Sequence, residues 1–137
     1  MAKVFFTFCL LLAAHPIVAQ VKQNKVEPYN CGYNSHILDT VHHLGGEKHL
    51  IIVIARLGDG EKNRALNRRR LHSVRAYLTE SGWKRDPQTI ILAEGERVKG
   101  YGRIEFYIYG GLYTVLGVHR NRDFAAGGCL SKEMGGR

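Results

Sequence analysis

The clearest alternation of apolar and polar positions lies between Leu50 and Gly82. Leu50 to Leu57 is rich in β-branched residues and is cut short by Gly58, which predicts a buried strand over Leu50–Arg56. Gly58-Asp-Gly-Glu-Lys62 predicts a turn. From Asn63 to Ser81 the chain holds neither Gly nor Pro, and Gly82 follows, as a helix and its C-terminus require. At ~100° per residue, Leu66, Val74, Tyr77 and Leu78 share one stripe of this helix, suited to packing on a sheet. Asn63, Asn67 and Arg70 fall in the same stripe, whereas Arg64, Arg68, Arg69 and Arg75 lie outside it or at its margin. A guanidinium stays charged, so an Arg70 turned toward the sheet requires an acid, backbone carbonyls or a bound anion. The alternative is a packed stem whose head reaches water.

The remaining pattern completes one domain. Ser35 can cap a helix running to Leu44, with Ile37, Leu38, Val41 and Leu44 on one face and Gly45-Gly46 as its end. Thr89–Ala93 predicts a second strand. Arg103–Tyr109 predicts a third, with Ile104, Phe106 and Ile108 on one side. The order helix, strand, helix, strand, strand gives an α+β fold, a two-layer α/β sandwich whose sheet of about three to four strands is covered on one face by two helices. Residues 20–34 read as a polar lead-in with a short strand near Val21–Val26. The domain proper spans 35–111, and 112–137 is an extension comprising an edge strand over Leu112–Val118 and an irregular, basic tail.

The start of the chain changes the picture of where this domain works. Lys3, an apolar run from Val4 to Ala14, and Ile17-Val-Ala19 have the layout of a secretory signal peptide over residues 1–19, with a retained membrane anchor as the alternative. Cleavage after Ala19 leaves 118 of 137 residues, enough for one modest core, without a membrane span. The whole chain has a formal charge of +8, and losing Lys3 with the leader leaves +7. That charge favours anionic neighbours, and export makes nucleic acid the least suitable of them. Cys9 departs with the leader. Cys31 and Cys129 remain, and in an oxidising compartment they have one intramolecular pairing, the alternative being two free thiols.

A family resemblance rests on four ordered motifs. Asn63-x-x-Leu66-Asn67-x-x-Arg70-x-x-x-Val74-x-x-Tyr77-Leu78 resembles the characteristic helix of OmpA-like domains, the peptidoglycan-associating C-terminal domains of outer-membrane protein A and its relatives. Gly82, Ala93-Glu-Gly-Glu96 and Arg103-Ile-Glu-Phe-Tyr-Ile108 resemble the glycine, turn and final strand that follow in that family. The resemblance implies an exported, non-catalytic protein of the periplasm or cell envelope that binds peptidoglycan or another anionic envelope component. It implies that Arg70 holds a diaminopimelate carboxylate, with Asn63 and Asn67 beside it. One position departs from the pattern: Ala55 stands where the family carries the Asp of its G-H-T-D segment, and the loop that follows is shorter. Asp59 is the nearest acid that could take the ligand's ammonium.

Enzymatic chemistry finds little footing. The chain has no G-x-S-x-G elbow, P-loop or dinucleotide fingerprint. His36, His42, His43 and His49 lack metal-ligand spacing and read as surface or helix-face residues, so neither a metal nor a cofactor is expected. Glu94 and Glu96 read as a solvated turn. Two functions remain open: wall binding through Arg70, or an OmpA-like fold kept as a structural or protein-interaction module in which Arg70 bridges Asp59 or Glu96 internally.

Overall fold

The computed structural model describes residues 26–80, 82, 84–127 and 129. The expected signal peptide over residues 1–19, residues 130–137 and all but Val26 of the short strand expected near residues 21–26 lie outside the described residues. Two α-helices and four strands follow one another as α1 (Cys31–Gly45), β1 (Ile51–Arg56), α2 (Ala65–Glu80), β2 (Ile90–Glu94), β3 (Gly102–Ile108) and β4 (Gly111–Val118), with a single 3-10 turn at Pro87–Thr89 before β2. The sheet order is β2-β1-β3-β4. β1 and β2 are parallel, as a helical crossover between them demands, and the other pairs are antiparallel. This is the expected α+β two-layer sandwich.

Burial follows the period-2 pattern of the strands. Ile51, Val53 and Ala55 of β1, Ile104, Phe106 and Ile108 of β3, and Leu116 and Val118 of β4 form one core with Leu38 and Val41 of α1 and Leu71, Val74 and Leu78 of α2. Tyr77, expected in the helix stripe, is partly buried against that core, and its hydroxyl donates to Asp39 Oδ1 at 2.9 Å. On the opposite sheet face Glu105 is nonetheless buried, because Arg103 Nε donates to it at 2.8 Å, Arg56 Nε lies 3.0 Å away and the Tyr107 hydroxyl donates at 3.1 Å.

α1 departs from the sequence pattern in its start, in His42, and in Leu44, which is 48% exposed instead of sharing the packed face. α1 starts at Cys31 and is capped by Asn30, whose Oδ1 accepts from the Tyr33 amide at 2.9 Å; Ser35 lies inside the helix. The helix gains a turn because Asn30 is as good a cap as Ser35 and an earlier start buries Cys31 and Asn34. His42 is also buried, and burial together with the charge of Arg85 pushes its imidazole below the ordinary histidine value.

The segment after β4 is irregular, yet it is a strap over the helices. Phe124 enters the core, Asn34 Nδ2 donates to the Ala125 carbonyl at 3.0 Å, and the Gly127 amide donates to Ser35 Oγ at 3.0 Å. Cys31 and Cys129 close it with a disulfide across a sequence separation of 98, at a Cα–Cα distance of 5.7 Å. Among the described residues no helix is long and apolar enough to cross a membrane.

Candidate functional site

The site is built where β1 and β2 end and α2 begins, the position at which parallel strands and a crossover helix leave room for a ligand. The turn after β1 folds back on itself: Glu61 Oε2 accepts from the Gly58 amide at 2.8 Å, and the Glu61 amide donates to the Gly58 carbonyl at 3.3 Å. This brings the Glu61 carboxylate under α2, where it meets Arg70. Arg70 Nη2 donates to Glu61 Oε1 at 2.6 Å and Nη1 to Oε2 at 3.0 Å, a two-pronged pairing of a planar fork with a carboxylate. Both side chains are wholly buried.

The strap satisfies what the pair leaves open. The Arg122 carbonyl accepts from Arg70 Nε at 3.1 Å and from Nη2 at 2.9 Å, while the Asn121 amide donates to Glu61 Oε1 at 2.8 Å. Burial alone would raise the Glu61 carboxyl. The hydrogen bonds from Arg70 and from the Gly58 and Asn121 amides, with Arg70's charge, outweigh it and hold the group below the ordinary carboxylate value.

Gly102 at the start of β3 is what admits this arrangement. A Cβ there would sit 2.5 Å from Glu61 Oε2 and 2.6 Å from Arg70 Nη1. Gly102→Ala must therefore push the pair apart, and a loss of about 1–3 kcal/mol is expected in urea unfolding, as for other overpacked interiors. An unchanged unfolding midpoint would mean that the pair tolerates displacement.

Beside the ion pair opens a cleft of about 290 Å³, lined by Leu57, Arg64 and Asn67 on one side and by Glu94 to Arg97 on the other. Arg97 Nη1 donates to the Gly58 carbonyl at 2.5 Å, which fixes one wall. Asn67 is 3% exposed, and its Oδ1 has no hydrogen-bond partner among the described residues. A buried acceptor in that state costs free energy unless a ligand or water donates to it. The cleft thus presents a buried amide between two guanidinium and two carboxylate groups, a lining suited to holding a small polar group of mixed charge. Among the described residues no group of His, Cys, Asp or Glu is arranged to hold a metal ion.

The sequence-based candidates are distributed as follows. Arg70 and Asn67 lie on the buried face of α2, one facing Glu61 and the other lining the cleft. Asn63 is exposed, and its Oδ1 accepts from the Ala65 amide at 2.9 Å, a capping contact at the start of α2. Asp59 is exposed, and its Oδ2 accepts from the Gly100 amide at 2.7 Å. The acid on Arg70 is neither Asp59 nor Glu96 but Glu61. The place of Arg70 in the apolar stripe of α2 demands a partner, but no local pattern in the turn marks the reversal that aims Glu61 inward.

No family model matches this chain, and no curated protein or solved structure matches it.

Proposed function

We propose that the chain is a non-catalytic, exported cell-envelope domain with an OmpA-like arrangement, used as a structural and protein-interaction module, and not as a peptidoglycan binder acting through Arg70. The observation that carries this reading is Glu61. Its carboxylate already occupies the fork that a stem-peptide carboxylate would need, and the Arg122 carbonyl takes further donors of the same guanidinium. Displacing Glu61 would leave a buried, unpaired charge, a cost of several kcal/mol that a single carboxylate contact does not repay. The leader-like first residues and the Cys31–Cys129 disulfide both favour an oxidising compartment outside the cytosol.

A second reading has one observation in its favour: the unpartnered Oδ1 of Asn67 could receive an amide or ammonium of a wall peptide in the cleft beside the pair. Retention on insoluble peptidoglycan separates the two. High salt removes merely electrostatic adhesion by a basic chain. Under it, the protein should wash off diaminopimelate-type and lysine-type walls alike. Salt-resistant retention on the diaminopimelate-type wall, lost in Asn67→Ala, would assign wall binding to the cleft and overturn the module reading.

A further inference from the structure

A groove of about 510 Å³ runs along the free edge of the sheet, between β2 and the outer flank of α2. Its helix side carries Arg68, His72 and Arg75, and its strand side Leu92 and Glu94, with Leu71 as a floor. β2 is the last strand of the sheet on this side. The Gly95 amide donates to the Ala55 carbonyl at 2.9 Å, so alternation turns the main chain of Ile91 and Ala93 toward β1 as well. The amides and carbonyls of Leu92 and Glu94 therefore point outward along the groove. Arg68, His72 and Arg75 are exposed, and their side chains make no hydrogen bond or ion pair with any described residue.

We propose that this groove takes an extended acidic segment of a partner protein, added as a further strand on β2 beneath the cations of α2. Main-chain pairing with an open edge supplies affinity without regard to sequence, and side-chain complementarity then selects the partner. The two guanidinium groups, with His72 between them, are spaced seven residues apart on α2 and extend over about 10 Å of helix. That length matches about three residues of extended chain. A strand with acids at alternate positions would present each acid to α2 and turn the residues between them toward the opposite sheet face. There Ile91, 44% exposed, offers them apolar contact. Glu94, the last residue of β2, repels an acid placed opposite it, which limits how far along the edge the acidic residues run. This interaction does not involve Arg70, and of the groove's lining only Glu94 also borders the cleft at Asn67.

The competing account is that the cations merely keep the edge from pairing with other chains. A blocked, fluorescently labelled heptapeptide of alternating Glu and Val distinguishes them when titrated into the full mature chain at about 0.15 M salt. Saturable binding is expected, with the Leu92 and Glu94 amide resonances shifting. The Arg68→Glu/Arg75→Glu double variant should bind at least tenfold more weakly. The charge-matched pair Lys48→Glu/Lys62→Glu, also on exposed residues, should bind nearly as well as wild type. The same peptide N-methylated at every amide keeps every charge but has no N–H on either edge to form a ladder, and it should lose binding to the unaltered protein. An absence of binding by the Glu/Val peptide would overturn the proposal. Equal binding by the N-methylated peptide would overturn it too, by reducing the contact to charge alone.

Discussion

Arg70→Ala is expected to cost about 3–5 kcal/mol of stability, because it leaves the Glu61 carboxylate buried without its partner. For a domain of this size the melting temperature should fall by more than about 10 °C. The substitution also strands the Arg122 carbonyl, which accepts from Arg70 through two nitrogens. Glu61→Gln keeps the shape and removes the titrating group, but it turns one of two accepting oxygens into an amide donor that faces Arg70 and a backbone N–H, so it too destabilises at neutral pH. The two differ in acid. A carboxyl held below its ordinary value contributes stability that is fully present above the unfolded-state value near 4.5 and is lost as pH falls toward the depressed folded-state value. Wild-type protein should therefore lose stability across that acid window more steeply than Glu61→Gln does. Denaturant midpoints measured from neutral pH down to about pH 2 would read this difference, and parallel curves would show that Glu61 is not the group responsible. An Arg70→Ala protein with an unaltered melting temperature would remove the ion pair from the foundations of the fold.

The second large effect belongs to the disulfide. Reducing Cys31–Cys129, or replacing both with Ser, should lower stability by about 2–5 kcal/mol, because the bridge closes a loop that spans most of the described chain. The loss should exceed simple release of a tail. The strap it anchors carries Phe124 in the core and supplies Arg122 and Asn121 to the ion pair. Amide exchange would then rise at Asn121 and Gly127 and also at Gly58, on the far side of Glu61. Exchange confined to the strap, with Gly58 as protected as before, would show that the bridge and the ion pair are separate supports.

The β elements were legible because their cue is local. β1 is a β-branched run ended by glycine, and the alternating Ile104, Phe106 and Ile108 of β3 all face the core. The helices were legible in type but not at every boundary, since Asn30 and Ser35 are both competent caps and burial of Cys31 decided between them. The site was half legible. An arginine inside an apolar stripe announces a buried charge, and Arg70 is one. Its partner was hidden, because Asp59 and Glu61 are two acids of one short turn and only the reversal at Gly58 decides which faces inward. The strap was legible only through Cys129, whose pairing with Cys31 ties it to the start of the domain, and its course over Arg70 was hidden for a similar reason. Its buried apolar anchor, Phe124, belongs to no periodic pattern, and most of the hydrogen bonds that seat the strap, that of Asp123 with Arg69 apart, come from backbone groups, which every sequence possesses.

The crossing of the strap over Arg70 also bears on the order of events during synthesis. α2, β1 and the Glu61 turn are complete long before the ribosome reaches residue 122, yet the guanidinium they enclose is satisfied only when the backbone at 121 and 122 arrives. A nascent chain lacking those residues must bury an under-bonded charge or leave that side of α2 undocked, and the second course is cheaper. The domain therefore closes only once the strap has been made, with the backbone at 121 and 122 as a late piece of its interior. Such a chain stays open while it is being made, the state in which a polypeptide can be threaded through a membrane before it folds.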